Sequence, residues 1–198
     1  MINSEIATAL IGVGGTIVGT LLGWILNSIS QKGKLQIFVS SWENNFEYNN
    51  KGFMIPSSSK EQTKSYRFEL VLEVYNSSQN AKIMRNIRVV FSNEKKDLRT
   101  FIPKDNSTKY NSGLMSVYDD VAPLNISPQT VLQIKLHDGV WKKNNEMDFI
   151  WDAKRVYLLY ENDKGKTKRI LIHEESYCDY FENHLTEENE DGQAENGN

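Results

Sequence analysis

The sequence predicts a mainly β protein, with one N-terminal transmembrane helix, then an antiparallel β-sandwich, then an acidic disordered tail. Three observations carry that reading. The run from Ile6 to Leu26 holds no charged side chain and includes five glycines; a strict two-residue alternation recurs between Leu35 and Phe181; and from Glu182 onward there are six acidic residues and no basic one. The boundaries are a short flank at 1–5, a membrane helix at 6–29, a basic juxtamembrane linker at 30–34, the sandwich at 35–181 and the tail at 182–198.

The helix comes first. About 20 apolar residues in α-helical form span roughly 30 Å, the thickness of a bilayer's hydrocarbon core. A cleaved signal peptide starts with basic residues, has a core of about 7 to 15 apolar residues and ends at a small-x-small site. Met1 to Glu5 carries no Lys or Arg, the apolar run is longer, and no such site follows Leu26, so a permanent anchor is expected. At 100° per residue, Thr8, Gly12, Gly15, Thr16, Gly19, Thr20 and Gly23 fall within an arc of roughly 140°, and the bulky residues lie opposite. Gly15, Gly19 and Gly23 make two successive G-x-x-x-G steps. A face of small residues lets two helix backbones approach closely in lipid, and the threonines could add interhelical hydrogen bonds. The expectation is therefore a homo-oligomer formed through the helix, with the lipid bilayer as its other partner.

Flanking charge gives a direction. The N-terminal side offers no basic side chain, whereas Lys32 and Lys34 follow the helix at once and Lys51 lies not far beyond. Lys and Arg near membrane ends favour the cytoplasmic side, which places the N-terminus outside and the C-terminal domain in the cytoplasm. Trp24 sits at the interfacial end of the run, where indoles concentrate.

The sandwich is read from period two. Tyr66, Phe68, Leu70, Leu72 and Val74 share one face, and the same spacing recurs in Leu35-Ile37-Val39, Ile87-Val89-Phe91, Leu132-Ile134-Leu136, Val156-Leu158-Tyr160 and Ile170-Ile172. Such alternation of branched and aromatic residues marks half-buried strands, and many short strands separated by turn residues suggest an antiparallel sandwich. Two hairpins are expected. One runs from 61–74 through Asn76-Ser77-Ser78-Gln79-Asn80 to Phe91, and the other from Arg155–Tyr160 through Asn162-Asp163-Lys164-Gly165 to His173. Asn49 to Lys64 and Pro103 to Pro128 read as irregular loops, the second with short strands near Leu114 to Tyr118. Trp42, Trp141 and Trp151 are assigned to the core or its rim.

Without the tail's six acids the formal net charge moves from -3 to +3, so the folded part is mildly basic. The basic residues are too dilute for a nucleic-acid partner, and next to an anionic leaflet they would be mildly favoured. Cys178 is alone, so no intramolecular disulfide forms. Asn76-Ser77-Ser78, Asn106-Ser107-Thr108 and Asn125-Ile126-Ser127 fit a glycosylation pattern that matters only in a eukaryotic secretory setting. His173 with Cys178 matches no nucleophilic spacing, and a thiol beside carboxylates is deactivated. A metal would need more ligands at closer spacing. Asp119-Asp120 reads as a turn, since neighbours on a strand point to opposite faces. Gly12-Val13-Gly14-Gly15 is no phosphate loop. No catalytic, cofactor-binding or metal site is expected, and neither is an enzyme.

Phe68-Glu69-Leu70-Val71-Leu72-Glu73-Val74-Tyr75-Asn76-Ser77-Ser78 followed by Arg85-Asn86-Ile87-Arg88-Val89-Val90-Phe91, together with the glycine-rich anchor, resembles uncharacterised bacterial membrane proteins carrying an immunoglobulin-like or fibronectin-like sandwich. The resemblance implies a fold and transfers no catalytic residue. The function expected is a single-pass, membrane-anchored binding module that presents the sandwich to a protein partner. The alternative is an oligomerising effector that perturbs the membrane, in the manner of defence or toxin proteins.

Overall fold

The computed structural model describes residues 4–30, 33–113, 115–143, 145–174, 177 and 180–181. The N-terminal apolar run forms helix α1 (Ser4–Ser30), slightly longer than the expected span. The acidic tail at 182–198 lies outside the described residues.

The chain then builds two antiparallel sheets. The first has the order β2 (Phe53–Pro56), β1 (Leu35–Asn50), β3 (Ser65–Asn76), β10 (Val131–Trp141) and β6 (Lys104–Asp105). The second has the order β12 (Thr167–Glu174), β11 (Arg155–Glu161), β4 (Lys82–Ser92) and β5 (Asp97–Phe101), with β9 (Leu124–Ile126) beside the start of β4. A small hairpin of β7 (Tyr110–Ser112) and β8 (Met115–Val117) stands apart, and a five-residue helix α2 (Asp148–Asp152) precedes β11. That helix has no counterpart in the sequence reading, because five residues are too few to show a 3.6-residue period.

The expected faces are borne out. Tyr66, Phe68, Leu70, Leu72 and Val74 are all buried, and Ile87, Val89, Phe91, Val156 and Leu158 face them from the second sheet. Burying each such aliphatic side chain contributes about 2 kcal/mol. Strand β1 changes phase at a bulge between Val39 and Ser41, so Trp42, Asn44 and Phe46 take over the inward positions from Ile37 and Val39. An extra residue in one strand does this, because the side-chain period is two. Phe91 is the hub of the core, in ring contact with Trp42, Tyr66, Phe68, Phe101, Phe149 and Tyr177. Trp151 is buried as expected, whereas Trp141 is 62% exposed.

Of the two expected hairpins, the second is present, with β11 pairing β12 through the turn at Asn162–Lys166. The first is not a hairpin. Strand β3 already pairs β1 on one side and β10 on the other, so the chain leaves it at Asn76 and crosses to β4 in the opposite sheet. The stretch Asn49 to Lys64 also departs from its reading as a loop. Lys51 and Gly52 have φ of 52° and 95°, and they join β1 to β2 in a two-residue turn. Positive φ at both positions is what a type I′ hairpin turn requires. Asp119–Asp120 is an extended segment, with Asp120 bridging Lys104.

Candidate functional site

Helix α1 is built from residues that find no cover among the described residues. From Ile11 to Asn27 every residue is exposed. A Cβ built on Gly12, Gly15, Gly19 or Gly23 meets nothing within 4 Å, so no packing among the described residues requires those glycines. The threonines on the same face behave differently from expectation. Thr16 Oγ1 donates to the Gly12 carbonyl at 2.9 Å, and Thr20 Oγ1 donates to the Thr16 carbonyl at 2.8 Å. This backbone bonding satisfies the hydroxyl hydrogen within the helix, which makes a threonine tolerable on an apolar surface. Thr8 lies in α1 with its side chain outside the described residues. Trp24 is 68% exposed near the C-terminal end.

The segment read as a linker is partly docked. Lys32 lies outside the described residues, but Gly33 and Lys34 are seated against the crossover between β3 and β4. The Lys34 amide donates to Ser77 Oγ at 2.9 Å, and the Ser77 amide donates to the Lys34 carbonyl at 3.1 Å. A Cβ on Gly33 would lie 2.3 Å from the Ser78 nitrogen, so only glycine fits that approach. The Lys34 side chain stays exposed. The crossover is itself fixed by Asn76, which is fully buried. Its amide group donates to the carbonyls of Asn80, Ile126 and Ser127 at 2.8 to 3.1 Å, and its Oδ1 accepts from the amide and hydroxyl of Ser78. A side chain held this way is no acceptor for a glycan in the folded protein. Gly33 and Asn76 are the two structural residues that sequence reasoning missed. Each contacts partners distant in sequence, and the only signal available was the Asn-Ser-Ser turn composition.

Titratable groups gather around a shallow cleft of ≈ 290 Å³ on the first sheet, lined among others by Glu47, Arg67, Lys104, His137, Asp138 and Trp141. His137 touches Asn106 Oδ1 through Nδ1 and meets Tyr118 edge-on, with ring centroids 4.4 Å apart. Burial pushes its pKa down, with Glu69 opposing. Asp138 follows the buried Ile134 and Leu136 at two-residue spacing, and burial pushes its carboxyl up. Lys104 pairs with Asp120, and Arg67 with Glu47 at 3.5 Å. No serine, threonine or cysteine stands beside His137 as an activated nucleophile among these contacts. His173 stacks on Trp42 at 6.0 Å and packs near Tyr177, while Cys178 lies outside the described residues. Among the described residues no group of three or more His, Cys, Asp or Glu could hold a metal ion.

The docked segment at Gly33 also marks a boundary of a known family. The family model described as the YopI Ig-like domain matches residues 33–173, from that glycine to the histidine that closes over Trp42. This chain belongs to the YopI Ig-like domain family. A relative, the SPbeta prophage-derived uncharacterized protein YopI of Bacillus subtilis (strain 168), is 22% identical over 175 residues, covering 86% of this chain and 97% of that one. Among solved structures, this chain aligns with a candidate ApaA protein of Bordetella pertussis at 9% identity and TM-score 0.34, covering 72% of this chain and 90% of that one. An uncharacterized β-sandwich protein of Clostridium difficile 630 is 11% identical with TM-score 0.32, covering 72% and 91%. The Ig-like domain thus begins where the α1 segment ends, and α1 lies outside the matched residues.

Proposed function

We propose that this protein is a single-pass, membrane-anchored binding module without enzymatic activity, in which α1 holds the chain in a bilayer and the Ig-like sandwich meets a protein partner. One observation carries the reading. The described side chains of α1 are exposed on every face, and a Cβ on its glycines meets none of the described residues within 4 Å. A helix long and apolar enough to span a membrane, with none of its candidate span buried in the protein, needs lipid around its bulky face. Its small face suits a second helix, so copies of the chain associate through Gly12, Gly15, Gly19 and Gly23. Because the Thr16 and Thr20 hydroxyls donate within their own helix, that association rests on close backbone packing. Lys32 and Lys34 favour a cytoplasmic sandwich.

On the sandwich, β12 ends the second sheet and pairs only β11 among the described residues. An extended peptide of a partner would add there by backbone hydrogen bonds.

The test is reconstitution of the full chain in vesicles. Wild type should float with neutral vesicles and resist alkaline extraction, and differently labelled copies should show energy transfer that Gly19→Ile lowers. Extraction of wild type by alkali overturns the anchor, and unchanged energy transfer in Gly19→Ile overturns the glycine interface. On overexpression, a binding module leaves the membrane potential intact. Collapse of the potential with wild type, abolished by Gly19→Ile, would establish the membrane effector instead. A reporter fused after Asn198 reads the topology.

A further inference from the structure

We infer that the anchor-side end of the sandwich is a basic docking surface for the anionic headgroups of the bilayer that holds α1. The inference rests on the reading of α1 as a membrane anchor.

Topology gathers residues there that are far apart in sequence. Two residues separate Ser30, the end of α1, from Gly33, a reach of at most about 11 Å. Gly33 and Lys34 are seated on Ser77 and Ser78 of the crossover, so this end of the sandwich stays close to the end of the helix. The β11–β12 tip lies at the same end. Glu161 pairs in register with Arg85 at the start of β4, and Lys82 bonds Asp163 of the tip at 3.1 Å. The tip is a fixed shape, because the amides of Lys164 and Lys166 both donate to Asn162 Oδ1 at 3.0 Å.

The charge follows from this placement. The linker, the start of β4 and the β11–β12 tip with its flanks bring together Lys34, Lys82, Arg85, Lys164, Lys166 and Lys168. Six cations stand against two carboxylates, Glu161 and Asp163, for a net of +4. Both carboxylates are already paired, with Arg85 and Lys82. Lys34, Lys164, Lys166 and Lys168 are exposed and have no ion pair among the described residues. The connections at the opposite end interleave their lysines with Glu61, Glu94, Glu146, Asp148 and Asp152. This end thus carries uncompensated positive charge beside the segment that leads into α1. Apolar side chains join it, since Val131, first in β10 and paired with Tyr75, is 61% exposed, and Ile83 beside Lys82 is 42% exposed. Lysines within a Debye length, about 8 Å at physiological ionic strength, are drawn to anionic lipid. Exposed aliphatic residues among them suit the headgroup boundary.

The experiment uses the full chain with Cys178→Ser and a fluorophore on Asn80→Cys in the crossover, in vesicles containing a headgroup nitroxide quencher. Replacing neutral phosphatidylcholine with about 30 mol % phosphatidylglycerol should raise quenching roughly two-fold or more, and about 0.5 M salt should reverse the gain. A fluorophore on Lys95→Cys at the opposite end should not respond. The triple variant Lys164→Gln, Lys166→Gln, Lys168→Gln should lose the gain, and the corresponding triple Arg variant should keep it. Equal quenching in neutral and anionic vesicles, or a gain that survives the triple Gln change, overturns the inference while flotation still reports an intact anchor. Failure of the chain to float with neutral vesicles overturns the anchor reading itself.

Discussion

Asn76 Oδ1 accepts hydrogen bonds from both the amide and the hydroxyl of Ser78, at 3.0 and 2.7 Å, with both residues fully buried. The pair closes a small polar knot at the point where the chain crosses between sheets. Removing the Asn76 amide would leave the Ile126 carbonyl without its side-chain donor, while Asn80 keeps Ser78 Oγ and Ser127 keeps Thr130 Oγ1. Asn76→Ala should therefore destabilise the domain by about 3 kcal/mol, lowering the melting temperature by roughly 10 °C. Asn76→Asp sets a buried carboxylate against the same carbonyl oxygens, and should melt no higher than the alanine variant at neutral pH.

Gly33→Ala tests the seating of the linker. The added methyl meets backbone of Ser77 and Ser78 at 2.3 to 2.5 Å, so one of the two segments must move. The expected outcome is release of residues 33 and 34 from the crossover at a cost of about 1–3 kcal/mol, read as faster limited proteolysis between α1 and β1. Cleavage at the wild-type rate would show that the seating contributes nothing.

Phe91→Ala removes the ring that six other aromatic side chains contact. A loss of about 3–5 kcal/mol is expected, measured as a shift of the urea midpoint with the denaturant slope unchanged.

The pH dependence follows from His137. Burial disfavours its imidazolium, so its folded pKa lies below the ordinary value of 6.5. The unfolded chain then binds more protons between the two values, and stability rises with pH across that window. The contribution is complete above 6.5 and is lost as pH falls from there through the lowered folded value. Melts at pH 5.0 and 7.5 should differ less for His137→Gln than for wild type, and an equal difference would show that other groups set the acid limb.

The strand faces were legible because burial in a two-layer sandwich writes itself as alternation. Tyr66 through Val74 needed no more than period two. Which strands become partners is a different matter. The crossover at Asn76 has the composition of a hairpin turn, and what prevents a hairpin is that β1 and β10 occupy both sides of β3. The β1–β2 hairpin was hidden because β2 is four residues long and ends at Pro56, although Lys51-Gly52 carried the turn. Gly33 reads as a spacer because its contact lies more than forty residues away. His137 is covered by Asn106 and Tyr118, from a segment read as irregular. In α1 the sorting of small residues was legible, while the inward bonding of Thr16 and Thr20 was not, since threonine composition is the same whether a hydroxyl donates within its helix or across to another.

The twelve registered pairs between β1 and β3 have a mechanical meaning. Strand β1 takes up the chain directly after α1 and runs away from it, and the far end of the sandwich holds Phe181. Tension between α1 and anything gripping that far end pulls along β1. Its ladder hydrogen bonds lie across that direction, so they resist together in shear and do not open one by one. The order in which helix and strand follow each other makes this domain a stiff coupling under load.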